Sequence, residues 1–308
     1  MKVLVVDADS KKGFPNLALM KISAWHKCQG DTVDLIKGIP QARPLVAYDK
    51  VYISVIYWQN ATAASTYGRQ FDCPVVMGGI GWGYDTLSDE IEHIMPDYDL
   101  YGTDYSMGYT SRGCIRKCPW CVVPRKEGMI KDNVPISEFL DPRHDKVILL
   151  DNNFGASPKW RETLEFLIEH DLKVNFNQGL DIRLVTNEFA ELLAQVKYYN
   201  WRFKRRTLHF AFDTMKVERA VKRGIKTLGN AGIKPYRIMV YVLTEYDTTL
   251  EQDLHRVQVL KDLGVIPFVM RFDRQRQNKE MTRFSRWVNR RTYQWIPFED
   301  YVHKGAWK

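Results

Sequence analysis

Between residues 146 and 271 short apolar runs alternate with helical patterns, and this repeat restricts the fold more than any other feature. Val147–Leu150, Val174–Asn177, Thr207–Phe212, Ile238–Leu243 and Val265–Met270 read as buried strands. Helical spacing separates them over Pro158–His170, Asn187–Val196, Val217–Leu228 and Thr249–Leu263, with proline near the first turn of the first helix and Gly229, Gly232 and Gly264 at helix ends. With Tyr105–Ser111 as a leading strand, these units predict a parallel α/β barrel, complete or partial.

A smaller alternation precedes it. Lys2–Val6, Thr32–Ile36, Val51–Ile56 and Pro74–Met77 read as strands, Leu17–Cys28 as a helix, and the four glycines of Gly78–Tyr84 as a loop. Such a pattern predicts a small, mostly parallel sheet wrapped by helices. Charge separates the regions: residues 1–104 carry a balance of −4, 105–270 of +6 and 271–308 of +6. We therefore expect domains at 1–104 and 105–270 and a basic extension at 271–308. At 45% hydrophobic and 27% charged residues the chain can build a large core, and no apolar run reaches the roughly 18 residues of a membrane span. The N-terminus turns acidic at Asp7, too soon for a signal peptide, so a cytoplasmic location without membrane contact is expected.

Five cysteines are an odd number, and three lie within eight residues, in Cys114-x3-Cys118-x2-Cys121. That clustering points to metal ligation in a reducing compartment rather than to a disulfide framework. Three thiolates on one short loop can hold three corners of a [4Fe–4S] cluster and leave one iron open to a small molecule. A structural zinc site would need a closed set of four ligands, and His93 and His144 stand at no zinc spacing. A plain electron-transfer cluster would need a fourth cysteine, drawn from Cys28 or Cys73; both read more simply as buried free thiols.

The cysteine spacing with Trp120 before the third cysteine, in the longer string Arg112-Gly113-Cys114 to Cys121-Val-Val-Pro124, resembles the signature of radical S-adenosylmethionine (SAM) enzymes, in its methylthiotransferase and cobalamin-domain form. The resemblance implies an N-terminal Rossmann-like, cobalamin-binding-like parallel sheet followed by a partial (β/α)6 barrel. It also implies a cluster that binds SAM and cleaves it reductively to a 5′-deoxyadenosyl radical for hydrogen abstraction, fed by a flavodoxin or ferredoxin. Trp120 would pack by the adenine, Asn152 and Asn153 would hold the methionine amino group, and Asp213 would accept from the ribose. Leu243 would lie along the adenine. Gln178 and Arg183, after the third strand, form a polar cluster with Asp181 where a barrel mouth should be, and Arg183 could clamp a carboxylate. Asp213 and Glu245 could instead cap helices, and Arg183 could form a surface salt bridge with Asp181.

The first domain departs from the resemblance. Asp7-Ala8-Asp9-Ser10-Lys11-Lys12-Gly13 stands where a cobalamin-ligating histidine motif would fall, and His26 reads as a helix-surface residue, so no histidine-ligated cobalamin is expected. The three further cysteines that methylthiotransferases carry there are also missing. Residues 271–308 hold ten basic and eight aromatic residues, among them Arg271, Arg274, Arg276, Arg283, Arg286, Trp287, Arg290, Arg291, Tyr293 and Trp295. A second basic run, Lys197–Arg206, contains Tyr198, Tyr199, Trp201 and Phe203. Cations contact phosphates and aromatics stack on unpaired bases, which suits an RNA or DNA substrate. Equally, Phe284, Trp287 and Val288 have the spacing of a helix docked on the barrel, with Trp295 and Phe298 packing likewise. Three functions remain open: a radical enzyme modifying nucleic acid, one acting on a peptide or small metabolite, and a non-catalytic iron–sulfur sensor or nucleic-acid-binding module.

Overall fold

The computed structural model describes residues 1–9, 13–272 and 278–302. Residues 10–12, 273–277 (with Arg274 and Arg276) and 303–308 lie outside them. The chain divides into two compact units, Met1–Gly108 with Val134–Asp145, and Tyr109–Asn133 with Lys146–Lys308. Among the described residues no helix is long and apolar enough to cross a membrane.

In the first unit, β1 (Lys2–Asp7), α1 (Leu17–Cys28), β2 (Thr32–Lys37), β3 (Lys50–Ser54), α2 (Ala61–Gly68) and β4 (Val75–Gly78) build a parallel sheet in the order β2-β1-β3-β4. Residues of β1 alternate between two cores, as the strand period demands. Leu4 and Val6 join Val51, Ile53, Ala64 and Tyr67, whereas Val3 and Val5 join Leu19, Ile22 and Tyr52. A short α3 (Asp89–Glu92) and β5 (Ser106–Gly108) complete this unit. Val134–Asp145 returns to it through polar bonds: Tyr98 Oη donates to Phe139 O at 2.5 Å, and Ser106 Oγ accepts from Asp141 N at 2.9 Å.

Two expectations for this unit fail. His26 is fully buried, with Nδ1 2.7 Å from Asp31 Oδ2 and Nε2 3.0 Å from the Tyr52 hydroxyl. It faces the sheet because these two tertiary groups satisfy both ring nitrogens. Cys28 is exposed and Cys73 half-buried, so neither is a buried thiol. Cys28 ends α1, where the last turn runs out into Gln29 and Gly30.

The second unit starts with a two-stranded antiparallel ribbon, β6 (Ser111–Arg112) on β7 (Lys131–Asp132), with the cysteine loop and α4 (Val123–Lys126) between. Then follow β8 (Lys146–Leu149), α5 (Trp160–Glu169), β9 (Lys173–Phe176), α6 (Asn187–Gln195), β10 (Lys197–Tyr198), β11 (Leu208–Ala211), α7 (Glu218–Asn230), β12 (Ile238–Thr244), α8 (Leu250–Asp262), β13 (Ile266–Arg271) and α9 (Lys279–Asn289). β8, β9 and β10 pair in parallel, as do β11, β12 and β13. Past the end of β9, Leu180 N donates to His209 O on β11 at 2.8 Å. Burial along β12 alternates strictly, so one face of this sheet is closed by helices and the other stays half-open.

The extension is mostly structural. Phe284, Trp287, Val288, Tyr293 and Phe298 are buried. Asn289, the last residue of α9, accepts from Val269 N and donates to Val269 O, as a neighbouring strand would. Arg283 spends its guanidinium on the carbonyls of Phe298, Glu299 and Tyr301. Trp295 alone departs from the docked set, at 75% exposure.

Candidate functional site

The cysteine loop is fixed from the end of β8. Asp151, buried, accepts from Thr110 N and Oγ1 and from Ser111 N and Oγ, all within 3.1 Å. Burial pushes this carboxyl up, and the four donors work against it. Asn152 Oδ1 accepts from Gly113 N at 3.0 Å, and Asn153 Nδ2 donates to Cys114 Sγ at 3.3 Å. Three successive side chains at the strand end thus hold the ribbon and the first cysteine. Gly113 has φ +82°, and a Cβ there would stand 2.4 Å from Met129 O, so only glycine fits where the loop leaves the ribbon.

The end of β9 holds the middle of the loop. Asp181 accepts from Arg183 Nε at 2.6 Å and Nη2 at 2.9 Å, and from Arg116 Nε at 2.9 Å; Arg116 lies between the first two cysteines. Burial works against the Asp181 carboxylate, but Arg183 and Arg116 hold it below the ordinary range. The Asp181–Arg183 salt bridge is thus real, and it also latches the cysteine loop. Helix α7 reaches the following turn, Ile182–Leu184, at Gly224, where any Cβ would strike Ile182 at 2.7 Å. Gln178 is exposed.

Asp213 follows β11 and caps nothing: α7 begins after Val217 without a side-chain cap. Burial raises its carboxyl, while Arg256, a hydrogen bond from the Leu243 backbone and Arg183 oppose the rise. At Cys118 burial pushes the thiol up; Arg183 opposes, and Cys121, Cys114 and Asp213 add to it. All three cysteines are half-buried. Among the described residues no group of three or more histidine, cysteine, aspartate or glutamate side chains is arranged around a metal position. Trp120 meets Tyr246 edge-on at 5.2 Å, and Tyr246 meets Phe272 at 4.8 Å, an aromatic cluster beside Leu243 in sequence. Glu245 does not cap α8. Thr249 does, in a capping box with Gln252, and Glu245 instead pairs bidentately with Arg271 at 2.6 and 2.9 Å.

The sequence reading missed Asp181 as a latch, Arg116, and Arg256. Arg256 sits in an amphipathic helix like any surface arginine and carries no local signal of its burial.

By chemistry, though not gathered around one metal position here, the donors are of the kind that bind iron–sulfur clusters. Three soft thiols share one loop. Beside them Asn153 Oδ1 is buried with no hydrogen-bond partner, an acceptor suited to an ammonium group.

No protein-family model and no curated protein matches the chain. The solved structure of the radical S-adenosylmethionine methyltransferase TsrM from Kitasatospora setae, with tryptophan substrate and the SAM analogue aza-SAM bound, aligns with it. The TM-score is 0.64 over 87% of this chain and 72% of that one, at 12% identity. A structure of an SsGBP variant reaches a TM-score of only 0.23 and carries no argument. The chain therefore has a mixed α/β fold with parallel sheets, similar to that of a radical SAM methyltransferase.

Proposed function

We propose that this chain is a radical SAM enzyme whose second unit is a partial barrel and whose Cys114, Cys118 and Cys121 hold a [4Fe–4S] cluster. One observation carries the reading: side chains following β8 and β9 converge on the three-cysteine loop. Asn152 bonds Gly113, Asn153 bonds Cys114, and Asp181, paired with Arg183, bonds Arg116. Ligands gather at the C-terminal strand ends of parallel barrels.

When bound and reduced, the cluster supplies the electron that cleaves the carbon–sulfur bond of SAM. The chain's own residues bind and orient. Asn153 Oδ1 accepts from the methionine ammonium. Arg183, with Nε and Nη2 taken by Asp181, offers its remaining edge to the carboxylate. Asp213 takes the ribose hydroxyls, and Leu243 and Trp120 flank the adenine, with Asn152 and Gln178 at the rim. A flavodoxin- or ferredoxin-type donor provides the electron.

For the substrate we propose nucleic acid. This reading rests on the exposed Trp201 and Trp295 and the exposed Arg202, Lys204, Arg205 and Arg290. Burial of Phe284, Trp287, Tyr293 and Phe298 narrows it to these side chains.

The test is anaerobic. Reconstituted wild-type protein is expected to bind about four irons and four sulfides per chain. It should change its EPR signal on addition of SAM and release 5′-deoxyadenosine after reduction; Cys118→Ala should do none of these. A fully loaded wild type whose EPR signal ignores SAM would overturn the reading in favour of a sensor.

A further inference from the structure

The pairing of β11 with β12 runs in register from Leu208↔Ile238 to Ala211↔Tyr241. Phe212 N then donates to Tyr241 O at 2.8 Å. A regular parallel ladder would next send Leu243 N–H to Phe212 O. Instead the regular register stops at Ala211↔Tyr241, and the ladder opens beyond it. The carbonyls of Phe212 and Leu243 are left facing the gap, where buried acceptors need donors.

Both are satisfied by one side chain. Arg256, on α8, donates through Nη1 to Phe212 O at 2.5 Å and through Nη2 to Leu243 O at 2.6 Å. The same Nη2 reaches Thr248 Oγ1 at 3.2 Å and Asp253 Oδ1 at 2.5 Å. The Arg256 and Asp253 side chains have no exposure at all. A buried ion pair of this kind is weak as a source of stability, because desolvation offsets most of the attraction; what it fixes is geometry. Here it bridges two strand ends at Leu243 and at Phe212, the neighbour of Asp213, beside the residues assigned above to the adenosyl end of the cofactor.

We propose that Arg256 is a positioning residue for adenosyl recognition. It bridges the ends of β11 and β12 and so presents the Asp213 carboxylate and the Leu243 segment to a ligand that carries a vicinal diol and a flat base. The proposal rests on the radical SAM reading. A lysine cannot replace Arg256, since one ammonium on a flexible stem cannot span two carbonyls in a fixed fork.

The experiment measures equilibrium binding of SAM and of 5′-methylthioadenosine, which keeps the adenosyl end and lacks the amino acid. It uses reconstituted wild type, Arg256→Lys and Arg256→Met, with iron and sulfide content and Tm recorded for each. Both ligands are expected to bind at least tenfold more weakly to Arg256→Lys, with cluster content as in wild type and the methionine-induced change in the cluster EPR signal retained. Loaded Arg256→Lys that binds 5′-methylthioadenosine within twofold of wild type overturns the proposal. Should Arg256→Met fail to fold, Asp213→Asn combined with Arg256→Lys decides. Action through Asp213 requires the lysine substitution to cost far less in the asparagine background, and additive losses overturn it. A wild type that binds no SAM strikes the enzyme reading itself, a result distinct from either.

Discussion

At the scale of single residues the cysteine loop is anchored by its neighbours in space. Gly113 supplies a left-handed backbone that no other residue could adopt against Met129 O, and Asp151 absorbs four donors so that the ribbon starts at a fixed point. His209, on the half-open face of β11, stacks parallel to Tyr241 with centroids 5.5 Å apart. Burial lowers its pKa from 6.5 to about 4. In the unfolded chain this imidazole takes a proton as pH falls through about 6.5, whereas the folded protein refuses it until about 4. The unfolded state binds more protons in that window, so stability falls as pH falls across it, by at most about 3 kcal/mol. Urea unfolding at a series of pH values should show this loss in wild type and its absence in His209→Phe. Parallel pH profiles for the two proteins would mean that His209 titrates normally.

At the scale of elements the long strands were legible because their apolar runs are continuous: β8, β9, β11, β12 and β13 begin and end within two residues of expectation, whereas the two-residue β6, β7 and β10 carry no such run. What local pattern could not reveal were roles assigned by distant partners. His26 lies on a helix whose sequence does not say which face meets Asp31 and Tyr52. Val134–Asp145 returns to the first unit through Tyr98 and Ser106, a tertiary contact with no local mark. In the candidate site the cysteines and Asn153 could be found from spacing and strand ends, but Arg256 and the Asp181 latch could not, since each acts across elements. The extension shows the same limit: stacking and docking aromatics share one composition, and burial alone separates them. Trp287, buried in α9 with Nε1 donating to Ile296 O at 2.8 Å, should cost about 3–5 kcal/mol of stability as Trp287→Ala. Trp295→Ala should leave the unfolding midpoint nearly unchanged while weakening single-stranded nucleic-acid binding by about 1–3 kcal/mol. If the exposed tryptophan moves stability and the buried one does not, the docking assignment is wrong.

At the scale of the whole molecule the charge is lopsided, −4 over residues 1–104 and +12 over the rest, yet the count overstates the available field. Arg256, Arg271, Arg283, Arg116 and Arg183 spend their guanidinium groups on internal carbonyls and carboxylates. The cations left facing solvent include Arg202, Lys204, Arg205 and Arg290, with Arg219, Arg223 and Lys226 along α7. If they grip phosphates, each neutralised phosphate releases a fraction of a counterion, and log K falls linearly with log salt at about −0.7 per contact on a single strand. Arg205→Ala with Arg290→Ala should therefore flatten the slope by about 1.4 while weakening binding to unrelated sequences alike. Titration of a labelled single-stranded RNA and a DNA of the same sequence, across 50–300 mM potassium chloride (roughly the range over which such slopes are read), measures both quantities. A slope near zero in wild type, or one the double substitution does not change, removes nucleic acid as the substrate. The half-open face of β11–β13, lined by His209, Tyr241 and Phe268, would then be where to look for a peptide or small metabolite.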